Sequence, residues 1–213
     1  MTTPDRMRRF AAAATIAVLP LAGCLPKPNT LATRSYLLTP VAVDALPQSA
    51  RAEAEATAVG INPVRMPSYL LRPSVAVRSG TSEVVYLEAS LWADRLDRQF
   101  QRVLAEDLAA RLPYRSVRLA PWNSGEVSQA VSINVLQFDV DTTGTGSLIA
   151  WWQVHSASGG GLLTNGTARL TESGPPPDAQ PEAIPSTLSR LVSRLAALLA
   201  EALQTSGVGA PAR

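Results

Sequence analysis

The chain contains very few of the side chains on which enzymes and metal sites usually depend. Its 213 residues include one cysteine, one histidine and one lysine, namely Cys24, His155 and Lys27. A disulfide within the chain is therefore excluded, and a zinc site of the usual composition would lack ligands. A serine–lysine dyad would have to use Lys27, close to the N-terminus. We predict a protein that is not an enzyme and that holds no cofactor and no metal.

Aromatic residues and charges are also scarce. They make up 5% and 17% of the chain, against 46% hydrophobic residues, which is the composition of a folded domain. The net charge of +2 comes from the first 23 residues, where the charges of Arg6, Arg8 and Arg9 are offset only by Asp5. The remainder is neutral and has no excess of cations to neutralise phosphates, so we predict no nucleic-acid partner.

The N-terminus has the pattern of an export signal that ends in a lipidation site. The apolar run from Phe10 to Ala22, about 13 residues, is too short to span a membrane as a helix. It ends in Leu21-Ala22-Gly23-Cys24, which resembles the bacterial lipobox. We predict a signal peptide over residues 1–23 and a membrane anchor of acyl chains, palmitate included, on Cys24.

The residues after the cysteine predict where the protein is anchored. Leu25, rather than an aspartate, follows Cys24, and by the general sorting pattern of lipoproteins this favours the outer membrane, with the body on its periplasmic face. Residues 24–34 contain Pro26 and Pro28 and predict an extended tether.

Residues 35–205 predict a single α/β domain, with a mixed β-sheet and two main helices packed on it. Strand patterns fall at 35–39, 57–65, 74–78, 84–89, 115–120, 131–141, 148–156 and 162–171. The last three predict an antiparallel meander. The apolar residues of 131–141 change parity midway, which predicts a β-bulge near Val135.

The two helices are predicted from apolar residues at helical spacing, from Leu96 to Leu112 and from Ile184 to Leu203. Asp94 is the expected N-cap of the first helix, with Asp97 in the capping-box position. We also expect Asp94–Arg98 and Asp107–Arg111 pairs on its solvent face. Residues 206–213 predict a disordered tail.

Three polar residues leave chemical alternatives open. His155, near a strand end, could join Asp139 or Asp141 in a hydrolase triad, although no nucleophile elbow is present. Asp139 and Asp141 alternate onto one strand face, where they could bind a hard cation. The competing interpretation of all three is an ordinary solvated strand end, which we favour.

The adjacent Trp151 and Trp152 must point to opposite faces of their strand. One therefore faces the core. The other is either covered by the final helix or available for contact with a partner or lipid.

Several segments, taken in order, resemble one family. The sequence from Pro67 to Arg78, PSYLLRPSVAVR, is similar to the P-x-Y-L-x-R-P…V-x-R stretch of the PqiC-type ABC-transport auxiliary lipoproteins. Tyr36-Leu37-Leu38, the Trp92…Leu96 helix entry and the Phe138…Trp152 hairpin resemble the family's other marks. The resemblance extends from about Cys24 to Leu203.

The resemblance implies an outer-membrane lipoprotein of a lipid transport system. It implies an MCE-domain protein and its inner-membrane transporter as partners, a homo-oligomeric ring, and no catalytic residues. We therefore expect a non-catalytic module that docks the periplasmic conduit. The alternative is a periplasmic carrier of lipid or a small solute with its own pocket. Candidate partner or lipid contacts are Tyr69, Leu70, Arg72, Trp92, Trp151 and Trp152.

Overall fold

The computed structural model describes residues 32–41, 58–112 and 115–207. The predicted signal peptide, the lipidation site at Cys24, most of the tether and the tail from residue 208 lie outside these residues. The final helix continues to Gly207, into the first residues of the predicted tail. No helix in the described ranges is both long enough and apolar enough to cross a membrane.

The described chain folds into one eight-stranded mixed sheet with two main helices, as predicted. The helices are α1 (Leu96–Arg111) and α2 (Ile184–Gly207), and 3₁₀ turns cover Ser68–Leu71 and Pro181–Ala183. The strands are β1 (Arg34–Tyr36), β2 (Val59–Ile61), β3 (Ser74–Ser79), β4 (Glu83–Trp92), β5 (Val117–Leu119), β6 (Gln129–Asp141), β7 (Gly146–Ser156) and β8 (Leu162–Glu172).

Strand β6 is the centre of the sheet. On one side it pairs antiparallel with β7, which pairs antiparallel with β8, so the predicted meander is confirmed. On its other side the start of β6 runs parallel to β2 and its end runs parallel to β3. Strand β5 continues the sheet beyond β2, and β4 and β1 continue it beyond β3.

The predicted β-bulge lies in β6, where the register with β7 shifts between Val135 and Gln137. Val135 before the bulge and Phe138 after it are both buried, because the extra residue restores the inward direction of the side chains. Phe138 meets Phe100 of α1 edge to face, with ring centroids 5.1 Å apart. The bulge thus keeps both halves of the strand in one core.

Helix α1 begins differently from the prediction. Its N-cap is Arg95, and no side chain caps it. Asp94, the expected cap, instead accepts a hydrogen bond from the Arg95 backbone N–H at 2.7 Å, and the Arg95 guanidinium pairs with Asp97 at 2.8 Å. The charged pair at i,i+4 spacing on this helix is Arg102–Glu106, at 3.0 Å.

The expectation that Asp107 lies on the solvent face of α1 is wrong. Its side chain is buried, because the segment that follows β1 passes over it, and one oxygen, Oδ1, accepts the backbone N–H of Val41 at 3.0 Å. Arg111, its expected partner, donates to the backbone carbonyl of Asp107 at 2.9 Å.

Candidate functional site

The segment after Pro67, which carries the family resemblance, forms part of a buried polar cluster. We call it the Asp139 cluster, and it is made of Tyr69, Arg78, Gln137 and Asp139. Tyr69 lies on the 3₁₀ turn, Arg78 on β3 and the other two on β6. The parallel pairing of β3 with the end of β6 brings Arg78 beside Asp139, whose side chain is only 1% exposed.

Each Asp139 oxygen accepts two hydrogen bonds. Oδ2 accepts the Tyr69 hydroxyl at 2.8 Å and the Arg78 guanidinium at 2.7 Å, and Oδ1 accepts Arg78 at 3.2 Å and the Gln137 amide at 2.9 Å. Burial and the adjacent carboxylate raise the pKa of Tyr69, so its phenol stays protonated and keeps donating. The arrangement is a satisfied ion pair that joins three elements.

The two aspartates of β6 are both occupied by donors of the chain itself. Asp139 belongs to its cluster, while Asp141 Oδ1 accepts the backbone N–H groups of Thr143 and Thr145 at 2.9 and 3.0 Å and stabilises the β6–β7 turn. Within the described ranges no group of three or more acidic, histidine or cysteine side chains is placed to hold a metal ion. The geometry favours a structural role over a cation site.

The register of the sheet separates His155 from both aspartates. His155 lies opposite Ala130, nine residues before Asp139 on β6, so the two positions are roughly 30 Å apart. Its ring nitrogens lie 3.4 Å from the Gly160 carbonyl oxygen and from Gln153 Oε1. The triad hypothesis with Asp139 or Asp141 is therefore wrong.

The two tryptophans point to opposite faces of β7, as predicted. Trp152 is buried on the face of the sheet that α2 covers. Trp151 lies on the opposite face, away from the helices, and its side chain is 54% exposed. Helix α2 lies on the Trp152 side, since a Cβ placed on Gly146, which shares that side, would touch Thr187 and Leu191 of α2. The interpretation in which α2 covers the outward tryptophan is wrong.

The other predicted contact residues are divided between core and surface. Leu70 and Trp92 are buried, and Tyr69 is half-buried in the Asp139 cluster. Arg72 is exposed, with its guanidinium carbon 4.8 Å from the centre of the Tyr86 ring, a cation–π contact. Among the six, Trp151 and Arg72 present their side chains to solvent.

Trp151 borders an open cleft of about 740 Å³, within the size range of small-molecule sites. The segment that follows β2 forms one wall, and β6, β7 and β8 form the floor. The lining residues are Asn62, Pro63, Val64, Arg65, Ser132, Ile133, Asn134, Trp151, Trp152, Gln153, Asn165, Gly166 and Thr167. The tryptophans were predictable as candidate contacts from the sequence, but the cleft was not, because it is assembled from four separate segments.

Residues 38–41, which we call the N-terminal strap, lie across both helices. The backbone N–H groups of Leu38 and Thr39 donate to Gln99 Oε1 at 2.8 Å and Ser189 Oγ at 3.1 Å, and the Leu38 carbonyl accepts Arg102 at 3.0 Å. The strap ends on Asp107 of α1.

Burial raises the pKa of Asp107 to about 6, and one of its oxygens, Oδ2, is buried without a hydrogen-bond partner among the described residues. The hydrogen bond from Val41 and the charge of Arg111 act in the opposite direction. The strap is therefore held in part by a carboxylate that is costly to keep ionised.

Solved structures share this fold. An uncharacterized protein aligns with TM-score 0.63 and 20% identity over 80% of this chain and 99% of that chain. Protein XCC0632 from Xanthomonas campestris aligns with TM-score 0.56 and 13% identity over 83% and 97%. The PelC dodecamer from Paraburkholderia phytofirmans aligns with TM-score 0.41 and 14% identity over 69% and 87%, which is too distant to bear on assembly.

The sequence comparison identifies the family. No curated protein matches the chain significantly. Residues 36–200, however, match the family model described as the ABC-type transport auxiliary lipoprotein component, which spans the domain from β1 into α2. The chain therefore belongs to the family of ABC-type transport auxiliary lipoproteins.

Proposed function

We propose that this protein is a non-catalytic, lipid-anchored docking module of an MCE-type intermembrane lipid transport system. It stands on the periplasmic face of the outer membrane and holds the periplasmic conduit there. The observation that carries the proposal is the family match over residues 36–200 together with the lipobox ending at Cys24.

The path of the chain after the anchor supports this role. The predicted tether leads into β1, which is paired parallel with β4, and then into the N-terminal strap. Side chains of both helices hold the strap backbone through Gln99, Arg102, Asp107 and Ser189. A pull on the anchor is therefore distributed over the sheet and both helices, as a module that fixes a partner at a membrane requires.

Co-purification tests the docking role. Full-length protein is tagged at its C-terminus, extracted from native membranes in mild detergent and recovered with its partners. We expect an MCE-domain protein in the eluate, and a smaller amount when Cys24→Ser removes the anchor, because the bait no longer shares a surface with its partner. Folded, membrane-anchored bait that recovers no MCE-domain protein would contradict the docking role.

The second candidate function is a periplasmic carrier of lipid or a small solute, for which the cleft at Trp151 provides a cavity of suitable size. Carriage of intact lipid requires an apolar lining for the acyl chains, whereas this lining is largely amide, hydroxyl and indole. A native mass spectrum of the delipidated protein distinguishes the candidates. Stoichiometric bound lipid would favour a carrier, and a spectrum of protein alone would favour docking.

A further inference from the structure

The outer face of the β6–β7–β8 meander carries an ordered array of polar side chains around Trp151. The register places Asn134, Trp151 and Thr167 side by side across the three strands, and Ser132, Gln153 and Asn165 form the neighbouring rung. The rungs are about 7 Å apart and the outer strands about 10 Å apart, the size of a short oligomer of small rings. All six residues line the cleft.

Most of this hydrogen-bonding capacity is unused within the described chain. The side chains of Asn134, Asn165 and Thr167 make no hydrogen bond there, and the side chain of Asn62 donates only to the Ser132 hydroxyl, at 3.0 Å. Such groups are costly when unpaired next to a bound ligand, so the ligand that fits is one rich in hydroxyl or amide groups.

Of the described residues that line the cleft, one is charged, and its charge is positive. Arg65 lines the cleft from the segment that runs beside β6, is exposed, and has no ion pair in the described ranges. Among the described residues, no acidic side chain lines the cleft. A guanidinium without a carboxylate partner matches an anionic substituent on the ligand.

Three ligand classes fit this lining poorly. Acyl chains require an apolar wall, a nucleic acid requires several cations along its phosphates, and a hard cation such as Ca²⁺ requires carboxylates. An exposed indole beside planar amides instead suits a ligand with apolar ring faces and polar edges, which is the chemistry of a sugar. We propose that the cleft binds an acidic oligosaccharide, with a sugar face on Trp151 and an anionic group on Arg65.

This site goes beyond the proposed docking role and does not depend on it. Detergent-solubilised full-length protein is titrated with trigalacturonate and with the neutral maltotriose, and binding is followed by calorimetry and indole fluorescence. We expect saturable binding of both, tighter for the acid, with a blue shift as Trp151 becomes covered. The ligand could be an internal stretch of a polysaccharide or a free oligosaccharide, and polygalacturonate as a competitor distinguishes the two. It displaces the trisaccharide in the first case and fails to displace it in the second.

Variants assign the binding to the cleft. Trp151→Ala should weaken trigalacturonate binding by about tenfold or more. Arg65→Gln should reduce the affinity for trigalacturonate to that for maltotriose, because only the charge contact is lost. Arg169→Gln is the matched control, since Arg169 is exposed, lies one rung further along β8 and does not line the cleft. It should bind like the parent, and all three should keep the parent's melting temperature.

Two outcomes would overturn the proposal. One is the lack of saturable binding of either trisaccharide at millimolar concentration, or binding that is the same in Trp151→Ala. The other is binding of short-chain phosphatidylglycerol, lost in Trp151→Ala, without binding of trisaccharide. That outcome would assign the cleft to a lipid headgroup instead.

Discussion

Asp139 shows how a residue that suggests chemistry in the sequence can be structural in the fold. Its carboxylate is buried on β6 and receives four hydrogen bonds from three side chains. The tyrosine and the second arginine of the PSYLLRPSVAVR segment are two of these partners, Tyr69 and Arg78. The motif that carries the family resemblance thus ties the 3₁₀ turn and β3 to the central strand.

Removal of the Arg78 guanidinium should destabilise the fold, because the Asp139 carboxylate would stay buried without a cationic partner. Arg78→Met leaves the Asp139 charge without its cationic partner, and we expect a loss of about 3 kcal/mol in the free energy of unfolding by urea. Arg118→Met is the control, because the Arg118–Glu126 pair is 3.9 Å long and solvent-exposed, and it should change stability by less than about 0.5 kcal/mol. Equal losses in the two variants would contradict the structural role of the cluster.

Asp107 predicts a pH dependence of stability. Its pKa of about 6 in the folded chain is above the ordinary value of 3.8, so folding favours its protonated form. The ionised carboxylate therefore costs stability at pH 7, and this cost is relieved as the pH falls through 6 towards 4. Relative to Asp107→Asn, the parent should gain on the order of 1–2 kcal/mol between pH 7 and pH 5 in urea unfolding.

Asp97→Asn provides the control for that experiment, because the Arg95 guanidinium lowers the pKa of Asp97. A carboxylate with a lowered pKa stabilises the fold at pH values above that pKa. Between pH 7 and pH 5 the free energy of unfolding of the parent should therefore not rise relative to that of Asp97→Asn. The account of the strap is wrong if the parent and Asp107→Asn respond to pH in the same way.

At the scale of elements, the β6–β7 turn is the most constrained junction of the meander. Gly144 has φ of 90°, and a Cβ there would overlap the carbonyl oxygens of Gly174 and Pro175, which lead from β8 towards α2. The turn and the proline-rich connector are therefore packed backbone to backbone, where only glycine fits.

Gly144→Ala should lower the free energy of unfolding by about 2–3 kcal/mol or more, because strain and overlap add. Gly159→Ala is the control in the β7–β8 turn, where a Cβ would meet nothing within 4 Å. Thermal unfolding followed by circular dichroism compares them, and a similar melting temperature for both variants would rule out this packing of the connector.

The elements were predictable where local pattern decides them. Alternation and helical spacing predicted the eight strands, both helices and the bulge, since each depends on neighbours in the sequence. The details at α1 were not predictable in the same way. Asp107 is buried because the strap, 66 residues earlier in the chain, passes over it, and Asp94 turns its side chain to Arg95 instead of capping the helix.

At the scale of the whole molecule, the cleft could not be predicted from the sequence, because it depends on which segments become neighbours in the fold. Trp151 was predicted as a candidate contact, but its companions come from residues 62–65 and from three strands. They meet only because β2 and the segment after it run beside β6, with Arg65 bridging to Asn134. A strand pattern predicts alternation within each segment but not which segments become neighbours.

We propose that the position of this protein at a membrane matters more for its role than any chemistry of its own. Three observations support this proposal: the family match, the predicted lipobox ending at Cys24, and the strap after β1, which is hydrogen-bonded to both helices. Removal of the thiol should therefore change where the protein is found without changing its fold, since Cys24 precedes the domain.

Metabolic labelling with palmitate, followed by separation of inner and outer membranes, tests that claim most directly. The parent should incorporate the label and fractionate with the outer membrane, whereas Cys24→Ser should carry no label and leave the membrane fractions. An unlabelled parent, or a Cys24→Ser protein that stays with the outer membrane as the parent does, would contradict the account.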